Sequence, residues 1–167
     1  QGTAGVVYPD IACDETGQYV YVVWQDYRQD SVDPTLQNGS QPNVYFNRST
    51  DYGATFEAGD QWIDQGTSPN SHLIRYGNVE ASGSNVYVSW VDSRFGNRAV
   101  WFSMSPSYGA AGTWTAPAPV DPLGGYLYTQ DYADLACSGN IVYAAWQDSR
   151  ISGSIHMNAS KDGGVSW

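Results

Sequence analysis

Tyr19-Val20-Tyr21-Val22-Val23-Trp24-Gln25-Asp26-Tyr27-Arg28 is an unbroken β-branched and aromatic run that closes on Trp-x-Asp-x-Arg. A run of this length and Val/Tyr content reads as a strand. It recurs as Val86-Tyr87-Val88-Ser89-Trp90-Val91-Asp92-Ser93-Arg94, and again as Ile141-Val142-Tyr143-Ala144-Ala145-Trp146-Gln147-Asp148-Ser149-Arg150. The three tryptophans stand 66 and 56 residues apart (24, 90, 146). A unit of that size is one supersecondary element that cannot bury its own faces alone, so fold and function both follow from the array.

Working outward, each run is preceded by a shorter apolar stretch: Asp10-Ile11-Ala12-Cys13, Asn78-Val79-Glu80-Ala81 and Asp134-Leu135-Ala136-Cys137. Each is followed by a third: Val44–Ser49, Val100–Ser105 and Ile155–Ser160. A weaker fourth strand is suggested by Gln61-Trp62-Ile63-Asp64 and by Pro119-Val120-Asp121. Apolar residues alternate or run continuously, Gly, Asn, Asp and Pro punctuate them, and no stretch keeps helical spacing for three turns. The expectation is an all-β chain of β-propeller blades, each of four antiparallel strands. The units fall at 1–64, 65–121 and 122–167, with the last blade incomplete.

The turn after the third strand is the sharper signature. It reads Ser49-x-Asp51-x-Gly53-x-Thr55-Phe56 in the first unit and Ser160-x-Asp162-x-Gly164-x-Ser166-Trp167 in the third. The second unit carries a degenerate form, Ser105-x-Ser107-x-Gly109, followed by Thr113-Trp114. Ser and Asp side chains hydrogen-bond the amides of such a turn, Gly supplies positive φ, and the aromatic residue plugs the blade edge. The pattern resembles the Asp-box, or BNR, repeat of the sialidase-like β-propellers, and the resemblance covers essentially the whole chain. It implies a six-bladed plan, of which three blades are about half. Gln1-Gly2-Thr3 matches Gln65-Gly66-Thr67 at the next repeat start. The favoured expectation is that the remaining blades come from the same longer chain; closure by a second copy is the alternative.

Composition narrows the partners. Seven basic against seventeen acidic side chains give a net charge of −10, and Lys161 is the only lysine. Nucleic acid and anionic membranes need a concentrated basic surface, so neither is expected. No run of about eighteen apolar residues exists to span a membrane. Neutral polar residues, abundant aromatics and scarce lysine favour an extracellular or cell-surface address. Asn38, Asn47 and Asn158 lie in sequons; two share a repeat position, where a strand-end Asn followed by a turn Ser is the simpler reading. Cys13 and Cys137 occupy equivalent places in non-neighbouring units and are expected as two small buried thiols, with an intermolecular bridge as the alternative.

The resemblance places sialidase active sites on the face built by the loops after the second strands. Arg28, Arg94 and Arg150 resemble the arginine clamp that holds a carboxylate in those enzymes. They also recur once per unit, two residues after Asp26, Asp92 and Asp148, which favours a blade-building pair. Departures from the repeat are the alternative candidates: Glu80, where the other units have Ala12 and Ala136; the extra segment Gln29–Pro42; and the cluster His72, Arg75 and Tyr76. Glu80 is either a catalytic carboxylate or a hydrated channel acid. No metal or cofactor motif is present. The expected function is carbohydrate or glycoconjugate binding, adhesion or surface assembly without catalysis. Half of a sialidase-type exo-glycosidase, its site completed by other blades, is the alternative.

Overall fold

The computed structural model describes residues 5–28, 42–65, 74–94, 96–121 and 127–167. His72, Asn38 and nearly all of the segment 29–42 lie outside them. Among the described residues eleven strands form three antiparallel sheets, each a meander in chain order. The first contains β1 (Val6–Cys13), β2 (Val20–Asp26), β3 (Asn43–Ser49) and β4 (Gln61–Trp62). The second contains β5 (Ile74–Ser82), β6 (Asn85–Asp92), β7 (Ala99–Ser105) and β8 (Ala118–Pro119). The third contains β9 (Gln130–Ser138), β10 (Ile141–Asp148) and β11 (Ser154–Ser160). These are propeller blades. Among the described residues no helix is long and apolar enough to cross a membrane.

The core lies between blades rather than within them, because a two-faced sheet buries itself only against a neighbour. Tyr21, Val23, Val44, Phe46 and Ile63 of blade 1 pack on Ile74, Val79, Val88 and Trp90 of blade 2. Tyr87, Val100, Phe102 and Val120 of blade 2 pack on Leu135, Val142, Ala144 and Trp146 of blade 3. Central β6 is therefore buried on both faces, whereas β10 alternates exposed and buried along its length. The innermost strands β1, β5 and β9 lie side by side.

The inner strands run longer than the sequence pattern suggests. Each carries a bulge at the same place, where the register with its partner slips between Val7 and Asp10, between Arg75 and Asn78, and between Asp131 and Asp134. The extra residue breaks the alternation and hides the first half of the strand from a period-two reading.

The buried-thiol expectation is corrected. Both cysteines are free, but Cys13 is exposed and Cys137 half-buried. Cys137 packs on the core that blade 2 shares with blade 3, and among the described residues no blade packs on the same side of blade 1. Burial and the nearby Glu80 and Glu15 carboxylates push the Cys137 thiol up to about 11, which favours its protonated form at neutral pH.

Candidate functional site

Strand pairing separates the two ends of the array. Asp26, Asp92 and Asp148 close the second strands beside the starts of the inner and third strands, whereas the Ser-x-Asp-x-Gly turns leave the opposite end. Arg28, Arg94, Arg150, Arg75 and Tyr76 all belong to the first end.

The three repeated arginines turn back into their own blades. In each, the aspartate accepts from the tryptophan indole, at 3.2, 3.3 and 3.0 Å for Trp24, Trp90 and Trp146. The same aspartate accepts the arginine's backbone amide at 2.8, 2.7 and 2.8 Å and binds its guanidinium. Each guanidinium also lies over an aromatic ring: Tyr45, Trp101 and Tyr128. Arg94 donates across the junction to the Asp64 carbonyl at 3.1 Å, and Arg150 pairs with the Asp121 carboxylate. Burial works against the Asp148 charge, but the Arg150 and Trp146 bonds outweigh it and hold the carboxyl well below its usual range. Each guanidinium is thus engaged by a carboxylate and an aromatic ring, the arrangement expected of a blade-building pair.

At the opposite end Ser49 Oγ accepts the Gly53 amide at 2.9 Å, and Asp51 accepts the Thr55 amide and hydroxyl at 2.8 and 2.6 Å. Ser160 and Asp162 repeat this around Gly164 and Ser166. In the second turn Ser105 shares a 2.6 Å bond with Thr113 instead, and Gly109 keeps positive φ. Asn47 Nδ2 donates to the Glu57 carbonyl and to Asp60, and Asn158 Nδ2 to the Val120 carbonyl. The nitrogens a glycan would need are therefore engaged in these two sequons.

The feature that sequence inspection misses sits on the inner-strand bulges. Tyr8, Tyr76 and Tyr132 hold φ of 52°, 54° and 52°, a left-handed conformation that costs a non-glycine residue about 1 kcal/mol or more. Tyr76 is thus a repeated position, not a departure from the repeat. The rings form a continuous row from blade to blade, with centroids 5.4 Å apart from Tyr8 to Tyr76 and 4.8 Å from Tyr76 to Tyr132. Tyr8 is 55% and Tyr132 61% exposed. A hydrogen bond shared with Tyr132, together with partial burial, raises the Tyr76 phenol, while Arg75 beside it acts in the opposite direction. Asp131 pairs with Arg98 at 2.6 Å and also feels Arg75, yet burial still raises its carboxyl. The available signal was Tyr two residues before Asp10, Asn78 and Asp134 in every unit.

Below the tyrosines the inner strands are laced together. Asn78 donates to Asp10 and to Asp134, both at 2.9 Å. Asp10 accepts the Val79 amide and Asn78 the Leu135 amide, at 2.9 and 3.1 Å. Glu80 is half-buried beside this ladder, and burial with the Asp10 and Asp134 charges raises its carboxyl. The arrangement offers a row of aromatic faces with phenol and guanidinium donors at one end, above a belt of acids.

No protein-family model and no curated protein matches the chain in sequence. Solved structures match it in fold. A Hadza microbial sialidase superposes with a TM-score of 0.65 at 17% identity over 99% of this chain and 33% of its own. Trypanosoma rangeli sialidase gives 0.63 at 14% identity, over 99% of this chain and 30% of its own. A family 117 glycoside hydrolase from Zobellia galactanivorans gives 0.62 at 12% identity, over 98% and 54%. The fold is that of the sialidase-like β-propellers. The chain spans about a third to a half of the length of these structures, and identities this low speak to fold alone.

Proposed function

We propose that the tyrosine row is a carbohydrate-binding platform and that the chain acts outside the cell in glycan binding. The observation that carries this is the triple repetition of a strained tyrosine at the inner-strand bulges, with the rings of Tyr8 and Tyr132 exposed on either side of half-buried Tyr76. Strain kept three times calls for a return, and bulges re-aim side chains beside binding sites. Exposed rings offer apolar faces to sugar C–H groups, while Arg75 and the phenols offer donors to hydroxyls. Glycoside hydrolases among the structural neighbours support a glycan as the ligand class.

The test is a titration of the chain with a panel of neutral mono- and oligosaccharides, read by perturbation of tyrosine NMR signals. Saturable shifts confined to Tyr8, Tyr76 and Tyr132 support the reading, and a panel that leaves all three unmoved overturns it.

A second reading, half of an exo-glycosidase, is favoured by Glu80, whose raised carboxyl suits proton donation. It expects that the ring completed by further blades hydrolyses an aryl glycoside and that Glu80→Gln abolishes this while tyrosine shifts persist.

A further inference from the structure

The repeat keeps the tyrosines of the row and varies the residue that precedes each of them. Val7, Arg75 and Asp131 hold the same place on β1, β5 and β9, opposite Gln25, Val91 and Gln147 of the second strands. The scaffold around them is common to all three blades. An apolar, a basic and an acidic residue at one place therefore mark where the blades differ in chemistry rather than in fold.

Two observations give this place unused hydrogen-bonding capacity. Five of the six arginines form ion pairs: Arg28, Arg48, Arg94, Arg98 and Arg150. Arg75 forms none among the described residues, in a chain with seventeen acidic side chains, and lies half-buried beside the Tyr76 phenol. Asp131 meets Arg98 through Oδ2 and Nη2 at 2.6 Å. That geometry leaves Asp131 Oδ1 without a donor and Arg98 Nε without an acceptor among the described residues. Both atoms are covered from solvent, although the two side chains keep 15% and 31% of their surface open. Buried polar atoms are rarely left so, and a hydroxyl is a group that donates to one and accepts from the other.

We propose that Arg75, Asp131 and Arg98 choose which sugar the tyrosine row takes: a neutral pyranoside that presents two adjacent ring hydroxyls to the seam of blades 2 and 3. One hydroxyl enters between Asp131 and Arg98, donating to Oδ1 and accepting from Nε. Its neighbour accepts from the Arg75 guanidinium, and the C–H face of the ring lies against Tyr76 and Tyr132. A sugar carboxylate is disfavoured, because Arg98 is already paired with Asp131, and the Asp10 and Asp134 carboxylates stand below the row. The selection rests on the row being a sugar site, whereas the row can hold a sugar without it.

The test titrates the chain with the methyl pyranosides of glucose, galactose, mannose and xylose, and with the analogue of each that lacks the C3 hydroxyl, following the signals of Tyr8, Tyr76 and Tyr132. The C3 hydroxyl belongs to every adjacent pair on these rings, so its removal leaves none. At least one parent sugar should give saturable shifts, and its deoxy analogue should bind at least about tenfold more weakly, because the seam's polar atoms are then left unpaired. Arg75→Met breaks no ion pair seen among the described residues, and Asp131→Asn keeps an oxygen for Arg98. Each should weaken the parent sugar by about tenfold and the deoxy sugar little. Equal binding of parent and deoxy sugars overturns the selection and leaves the row a sugar site. Tighter binding of methyl glucuronide than of any of the four parents does the same. Absence of shifts with all four parents also overturns the selection, and the row itself falls only if oligosaccharides leave the three tyrosines unmoved as well.

Discussion

Phe102 of one blade occupies the space beside Gly164 of the next, so that a Cβ at 164 would overlap the phenyl ring. Glycine there serves two needs: φ of 91° and an open seat for the neighbour's aromatic side chain. Gly112 isolates the first need, since its φ is 77° and nothing lies within 4 Å of its added Cβ. Gly112→Ala should cost about 1 kcal/mol in urea unfolding, and Gly164→Ala about 3 kcal/mol or more, because it also forces the blade 2–blade 3 core apart. Equal costs at the two sites would remove the inter-blade role of the turn glycine.

Arg94 separates building from binding. Its guanidinium is tied to buried Asp92, stacked on Trp101 and bonded across to Asp64. Arg94→Ala leaves the Asp92 carboxylate buried and unpaired, and should cost about 3 kcal/mol or more of unfolding free energy. Tyrosine shifts caused by sugar should be unchanged at temperatures where the variant stays folded. A variant of full stability with lost sugar response would return the arginines to a ligand clamp.

Repeats made the fold legible. Trp-x-Asp-x-Arg placed the second strands, and the Ser-x-Asp-x-Gly turns placed the blade ends, because both are local patterns whose partners lie within a few residues. What the sequence concealed was relational. Nothing local says that Phe46 and Gly109, sixty-three positions apart (109 less 46), share one pocket. The bulges at Tyr8, Tyr76 and Tyr132 interrupt the alternation that marks a strand, so the inner strands read short and Tyr76 read as unique. Cys13 read as buried from its place in the repeat, whereas the partial cover of its equivalent Cys137 comes from packing against blade 2, a contact between distant residues that no local pattern shows.

Asp64 should give the chain an unusual pH dependence. Burial raises its carboxyl from 3.8 to about 7, opposed by bonds from the Val44 amide and Trp62 indole and by Arg94, and assisted by Asp92. Across the window from about pH 4 to pH 7 the folded chain holds a proton that the unfolded chain has released. Stability therefore falls as pH rises through that window, by up to about 1.4 kcal/mol per pH unit, and levels off above it. Glu80 and Asp131, also raised, act in the same direction. Asp51 and Asp162 oppose: turn bonds from Thr55 and Ser166 lower them to about 2, so their contribution is present above pH 4 and lost toward pH 2. Urea unfolding at about pH 5 and pH 8 should show the loss, and Asp64→Asn should flatten it while keeping an oxygen for Val44 and Trp62. An unchanged slope in the variant would clear Asp64 of the effect.

Tyr132 allows strain and ligand binding to be read apart. Glycine adopts its φ of 52° freely, so Tyr132→Gly gains about 1 kcal/mol of relieved strain. The same change loses a ring contact with Tyr76 of about 0.5–1.5 kcal/mol, and stability should move by less than about 1 kcal/mol. Sugar affinity should nevertheless fall by roughly tenfold, the equivalent of about 1.4 kcal/mol, because an exposed aromatic face is gone. Tyr132→Phe keeps that face and gives up only the bond shared with Tyr76, so it should bind nearly as the unsubstituted chain does. Should Tyr132→Gly destabilise the fold by several kcal/mol and leave sugar binding intact, the row is an inter-blade clasp whose strain serves packing rather than recognition.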